Sequence, residues 1–278
     1  MALITFHLLA IKPSMDSEPF TSKLRSLTGL KRPFWVGQVH HWLHEPHLSA
    51  NALLGTEQHI INWNYLLIGK QDIPDELKTH LLKHWSITAN VPDGMASPQA
   101  KIQSLVAQPA PTLPSGWSAK DHAGLDIATA PGDLAFTLEK RSRPLGSARS
   151  GDGKTLREFV REFGISHPGP VIVFNLLSYL PDKRPIYIDG YIGGFGKTIG
   201  PMYGGDAIQF GFGATEWTSQ FDEPTQEDGW EDAALVWYPS IWHFAKMIDD
   251  AEYAELDRKF KPTSLRDNPL LCCTEIEL

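Results

Sequence analysis

The chain has almost no cysteine: Cys272 and Cys273 are the only two among 278 residues, and they are neighbours. An adjacent pair cannot staple a small secreted scaffold and does not complete a zinc site alone, so the sequence points to a reducing, cytosolic setting. Long hydrophobic runs are also missing. No stretch approaches the roughly 18 apolar residues that a spanning helix needs, which argues against a membrane partner. Residues 1–10 lack the basic start of a signal peptide and read as a strand. Positive charge is in deficit. A formal net charge of -8 and a pI of about 5.7, with no dense Lys/Arg cluster, argue against nucleic acid as a partner. There is no Cys-x-x-Cys pair, no His-Glu-x-x-His, no Rossmann glycine fingerprint and no Ser-His-Asp elbow. The common thiol-redox, zinc-protease, nicotinamide and hydrolase chemistries are thereby removed, and any reaction is expected to need no cofactor and no metal.

What is present is ordinary in bulk and unusual in arrangement. Hydrophobic residues at 42% and charged residues at 21% describe a globular chain long enough for a duplicated domain with its own core. The chain repeats itself: Phe6-His7-Leu8-Leu9-Ala10-Ile11-Lys12-Pro13 returns as Phe174-Asn175-Leu176-Leu177-Ser178-Tyr179-Leu180-Pro181. After the first copy, the pattern predicts a strand over 3–11, a helix over 18–27, strands over 34–43 and 60–68, and a capped helix over 76–85. After the second, it predicts a strand over 170–178, a glycine-interrupted helix over 186–202, strands over 207–217 and 232–238, and a helix over 241–260. Both copies read β-α-β-β-α.

Residues 1–95 form the first α+β unit on this reading and 154–278 the second. Between them, residues 96–153 are proline-rich with little regular structure expected. Trp117, Leu125, Leu134, Phe136 and Leu138 give the segment apolar groups to bury, so it is expected to wrap the fold or lid a pocket.

The second unit, over 170–267, resembles the DUF1330-type group of the dimeric α+β barrel superfamily. The resemblance is carried by Pro170-Val171-Ile172-Val173-Phe174-Asn175-Leu176-Leu177, by the segment 231–240, and by Asp250-Ala251-Glu252-Tyr253. It implies an α+β fold in which two ferredoxin-like units pair their sheets into one intrachain barrel, the first unit being a diverged copy. That superfamily is implied to include cofactor-free monooxygenases, lactone isomerases, polyketide cyclases, decarboxylases and haem proteins, so fold does not fix function.

Strand parity places His7 and Asn175 opposite Phe6 and Phe174, and the phenylalanines suit a helix-packed face. His7 and Asn175 are therefore expected to face the lumen and to orient a carbonyl or move a proton. In His40-His41-Trp42-Leu43-His44-Glu45-Pro46-His47, adjacent histidines alternate faces and Pro46 breaks any aligning helix, so a rim loop is preferred over a metal site. One of His40 and His41 is expected to share the lumen, and His41 is the candidate base. The stretch Gly193-Gly194-Phe195-Gly196-Lys197-Thr198 is no phosphate loop, because Tyr191 stands where the first glycine is required. Nine tryptophans suggest indole walls. Trp63, Tyr65, Gln209, Trp217 and Trp237 are the expected substrate-binding residues, with Asn64 a further catalytic candidate.

The expectation is a cytoplasmic, cofactor-independent enzyme, monomer or homodimer, that folds a hydrophobic polyketide- or terpenoid-like intermediate for cyclisation or isomerisation, including a Diels-Alder step. Two alternatives stand beside it: a cofactor-free monooxygenase of activated phenols, and a non-catalytic binding protein for a hydrophobic small molecule.

Overall fold

The computed structural model describes residues 1–56, 58–70, 72–122, 156–218 and 229–278. The first half contributes β1 (Ala2–Ile11), β2 (Trp35–His44), a small hairpin of β3 (Gly55–Thr56) and β4 (His59–Ile60), then β5 (Tyr65–Gly69) and β6 (Leu81–Val91). The second contributes β7 (Val171–Tyr179), β8 (Asp206–Thr218), β9 (Asp232–Tyr238), β10 (Leu265–Asp267) and β11 (Leu270–Glu275).

The strands run β7-β11-β2-β5-β1-β6-β8-β9, all antiparallel, and β9 returns to β7 to close a barrel, with short β10 also pairing β7. Each half has the same internal order. Taken as first to fourth strand, the sequence 2-3-1-4 appears as β2-β5-β1-β6 and again as β8-β9-β7-β11. The two seams are equivalent as well, since the last strand of each half pairs with the second strand of the other, β11 with β2 and β6 with β8. This is an α+β chain whose duplicated halves close one barrel, the arrangement expected from the repeat.

The interior is solid. Ile4, Phe6 and Leu8 from β1 meet Ile172, Phe174 and Leu176 from β7, and the Phe6 and Phe174 rings stack at 5.5 Å. An eight-stranded barrel encloses only enough width for its own side chains, and here large apolar groups fill it. The expected parity is thus corrected. Phe6 and Phe174 face the lumen, whereas His7 and Asn175 face outward with Leu9, Val173 and Leu177. Alternation separates two faces but does not say which one is sealed. The face with the bulkier apolar groups went where no water reaches.

Two further expectations change. The helix over 76–85 is confined to Asp75–Lys78, after which β6 begins. Its buried residues Trp85, Ile87, Ala89 and Val91 recur every second position and hydrogen bonding to β1 runs from Val91 to Leu81, so sheet pairing overrides a local helical pattern. The expected helix over 241–260 is two helices, Ile241–Asp249 and Ala251–Ser264, split where Asp250 accepts from the Glu252 and Tyr253 backbone N–H groups at 2.7 and 3.3 Å. In the connector, Gln99–Val106 is helical and Trp117 is buried, while Leu125, Leu134, Phe136 and Leu138 lie outside the described residues. Among the described residues no helix is long and apolar enough to cross a membrane.

Neighbouring residues on opposite faces provide the test of this parity. Phe174→Ala is expected to cost about 3–5 kcal/mol by leaving a hole in the sealed interior. Asn175→Leu, which gives up one hydrogen bond on the outer face, is expected to cost less than about 1.5 kcal/mol. Urea unfolding of both variants checks this, and the reverse order would put Asn175 inside.

Candidate functional site

Open volume lies outside the barrel, where the second half's sheet is roofed by helices. Val173, Asn175 and Leu177 of β7, Phe210 of β8, and Ala234, Val236 and Tyr238 of β9 form the floor. The roof is the helical run 184–202 with the Ile241–Asp249 and Ala251–Ser264 helices. That run contains two wide turns of π geometry, Tyr187–Ile192 and Phe195–Ile199, a feature associated with functional sites. Gly190 and Gly194 sit one turn apart and touch the neighbouring helix: a Cβ at Gly190 would strike the Phe260 ring, and one at Gly194 would lie 2.7 Å from Leu256 Cδ1. Their missing side chains let the two helices meet closely. Between roof and floor is a cavity of about 450 Å³, within the usual size of small-molecule sites.

Part of the connector closes it. Leu105 and residues 108–111 border the cavity, and the Pro111 carbonyl accepts from His243 Nε2 at 2.9 Å while His243 Nδ1 pairs with Ser240 Oγ at 2.8 Å. Gly204 passes beneath this strap with a φ of 70°, and a Cβ there would also meet Pro239 at 2.7 Å, so glycine is required twice over.

The polar groups of the cavity are few and tied together. Lys261 Nζ lies 2.9 Å from Asp257 and donates to the Tyr253 hydroxyl at 3.3 Å. The Tyr191 hydroxyl donates to Tyr253 at 3.0 Å, and the Lys261 ammonium stands 4.9 Å from the Tyr191 ring centroid. Burial alone would lower the Lys261 pKa, but Asp257 and the neighbouring tyrosine oxygens outweigh it and hold the amine above its ordinary value. Burial likewise raises Tyr187, Tyr191 and Tyr238, so their hydroxyls remain neutral donors. Next to this cluster, fully buried Asp232 accepts from the Tyr179 hydroxyl at 2.7 Å and from Arg184 Nε at 2.9 Å. The set offers a fixed cation and phenol donors against aromatic walls. The pKa values of Lys261, Tyr187, Tyr191 and Tyr238 all move up, away from the neutral pH range where a general base must titrate.

Of the residues singled out from the sequence, Asn175 and Trp237 border this cavity, the latter with its indole among the barrel's interior groups. The others do not. His7 lies beneath the outer surface of the first half, its Nδ1 3.0 Å from His84 Nε2. His41 is not in the lumen: it stacks on Phe159 at 4.3 Å, while His40 packs on Phe163 at 4.7 Å and pairs with Thr274 Oγ1. The register with β11 skips His40, so a bulge turns both histidines toward one helix, Leu156–Ser166, which carries both phenylalanines. Asn64 is occupied by the backbone, its Oδ1 accepting from the Ile11 N–H at 2.8 Å. Trp63 Nε1 donates to the Leu53 carbonyl and Tyr65 Oη to the Ser17 carbonyl, so each fastens a local segment. Gln209 does face the interior, but its amide ties down the Met95 and Ala96 carbonyls at the barrel end. The Trp217 side chain lies outside the described residues. Among the described residues no group of three or more His, Cys, Asp or Glu side chains is placed to hold a metal ion.

The residues that do form the cavity had a readable signal. Tyr187 and Tyr191 are four apart, as are Tyr253, Asp257 and Lys261, which puts each set on one helix face.

No protein-family profile matches the chain, and no curated protein does. Among solved structures, a protein of unknown function from Rhodopseudomonas palustris is 22% identical, covering 40% of this chain and 86% of its own, with a TM-score of 0.32. Two proteins named provisionally as monooxygenases are each 6% identical with a TM-score of 0.41. The one from Fusobacterium nucleatum subsp. nucleatum covers 99% of this chain and 92% of its own, and that from Lactobacillus acidophilus NCFM 98% and 93%. The fold assignment rests on the strand pairings described above.

Two buried histidines outside the cavity, His40 and His84, carry a pH signature. Burial lowers His40 to about 4, helped by His167, and lowers His84 to about 4, helped by Lys78 and opposed by Asp72. Both start from an ordinary value of 6.5. Between those values the unfolded chain takes up protons that the native one refuses. The contribution of both residues is therefore fully present above 6.5 and lost as pH falls toward 4. Urea midpoints across that window are expected to fall less steeply in a His40→Gln/His84→Gln double variant than in the parent chain.

Proposed function

We propose that the chain is an enzyme that encloses a hydrophobic, carbonyl-bearing small molecule between the sheet and helices of its second half and guides a cyclisation or isomerisation there. The observation that carries this reading is the Lys261–Tyr253–Tyr191 cluster on the wall of a roofed cavity lined mainly by apolar and aromatic side chains. A cation and neutral phenols in a water-poor setting stabilise negative charge as it develops on a carbonyl oxygen, whereas they are poorly suited to removing a proton. Aromatic walls supply the shape that holds a flexible chain in a reactive conformation. The motif resemblance to the dimeric α+β barrel superfamily, which is implied to include cyclases and isomerases beside monooxygenases, decarboxylases and haem proteins, is compatible with this chemistry without selecting it. The reading moves the expected site from the lumen to the outer face and keeps Asn175 as its one candidate from the original catalytic set.

The test is turnover of a panel of polyketide-like enones and unsaturated ketones, followed by mass spectrometry and an oxygen electrode. Isomeric product without oxygen uptake is expected. Lys261→Met is expected to lower kcat about 10²-fold with a smaller change in KM, the behaviour of a group that acts on developing charge. Recovery of every compound unchanged despite binding would make the chain a carrier, and oxygen uptake coupled to product would make it an oxygenase; either result overturns the proposal.

A further inference from the structure

The cavity's polar groups are sorted by hydrogen-bonding sense. On the helical side they are donors. The Tyr187 hydroxyl makes no hydrogen bond among the described residues, and Lys261 commits two of its three ammonium protons, to Asp257 and Tyr253. On the sheet side the sense is reversed. Asn175 Nδ2 donates to the Val173 carbonyl at 2.9 Å, and Asn268 Nδ2 donates to the Leu176 carbonyl at 3.0 Å. Each of these bonds fixes the amide's orientation, because a flipped amide would set its oxygen against another carbonyl oxygen. Both side-chain oxygens are therefore presented as acceptors. Neither makes a hydrogen bond among the described residues, and both residues border the cavity.

Asn268 is also held firmly. It is 3% exposed, its N–H donates to Asp267 Oδ1 at 2.9 Å, and its carbonyl accepts from His44 Nδ1 at 2.7 Å. Asp267 Oδ2 in turn accepts the N–H groups of His47 and Leu48, so this corner is braced by the other half of the barrel. Asn175 stands opposite Leu270, two residues beyond Asn268, which brings the two amides to one patch of the floor. Acceptors that the protein leaves without a donor and that border the cavity are matched by a donor on the ligand, which takes the place of water there.

We infer that the cavity takes a ligand with two oxygen functions of opposite sense on a flat apolar frame: a carbonyl that accepts from Lys261 and Tyr187, and a hydroxyl whose single proton is donated to the Asn175 oxygen, beside Asn268. The inference rests on the cavity being the ligand site and narrows its substrate class to hydroxylated ketones. It also inverts the role expected of Asn175, which accepts from a hydroxyl instead of donating to a carbonyl. The stacked Tyr187 and Tyr191 rings, 4.9 Å apart, supply a planar wall for such a frame.

Three probes on one skeleton separate the contributions: 6-acetyl-2-naphthol, 2-acetylnaphthalene and 2-naphthol, titrated into the full chain by calorimetry at a pH that keeps the naphthols neutral. The hydroxyketone is expected to bind about tenfold tighter than either parent. Asn175→Leu should erase its advantage over 2-acetylnaphthalene while leaving 2-acetylnaphthalene itself within about twofold of the parent chain, and Lys261→Met should erase its advantage over 2-naphthol. Equal affinity for all three probes in the parent chain overturns the inference, as does an Asn175→Leu variant that weakens all three alike. Binding of 2-acetylnaphthalene with no gain from the hydroxyl sinks this inference alone, whereas no binding by any probe takes the cavity reading with it.

Discussion

Everything functional in this molecule depends on the barrel being full. The stacked Phe6 and Phe174, with Trp35 and Trp85 fully buried near them, leave the lumen to side chains alone. A close-packed interior of this kind is rigid and dry, so it fixes the strands against one another and forces chemistry onto their outer faces. The outer face of the second half has helices to roof it, and the roof stands off far enough for a cavity because Gly190 and Gly194 let one helix lean on its neighbour rather than on the sheet. A solid lumen and an open flank are two consequences of one packing arrangement.

The two halves share a topology and differ in what covers it. In the second, the Ile241–Asp249 and Ala251–Ser264 helices complete the roof. In the first, the corresponding position holds only Asp75–Lys78, and the single long helix Ser17–Ser26 buries Phe20 and Leu24 against Leu9, Tyr65 and Leu67. The echo at the start of each half preserved the phenylalanine that fills the lumen, and the next position diverged from His7 to Asn175. Duplication kept the shared core and released the outer surface, which the two copies have used differently.

Much of the fold was legible because its signals are local and repeated. The eight-residue echo and the alternating apolar strands reported a duplicated α+β barrel, and the segment over 232–238 coincides with β9. The strands β6 and β11 were not legible, since Glu76 to Trp85 carries a helical pattern and Cys272-Cys273 gives no period; each is a strand because it pairs with a distant partner. The site was less legible than the fold. Parity correctly separated Asn175 from Phe174 but assigned the two faces the wrong way round, and no local pattern reports which face two sheets will seal between them. Composition drew attention to tryptophan, which went mostly to the core, while tyrosine at helical spacing marked the cavity.

The seams set a condition on how the chain reaches this state. His44 and Asn268 meet across 224 residues of sequence, and β11 must reach β2 before the ring can shut. Contacts so distant carry a large loop-closure cost and form late. Without those seams the first half's sheet would end in its β2 and β6 edges, rows of unpaired backbone groups that template other strands. In the closed ring the second half covers both of these edges, β2 with β11 and β6 with β8, and no such template is left.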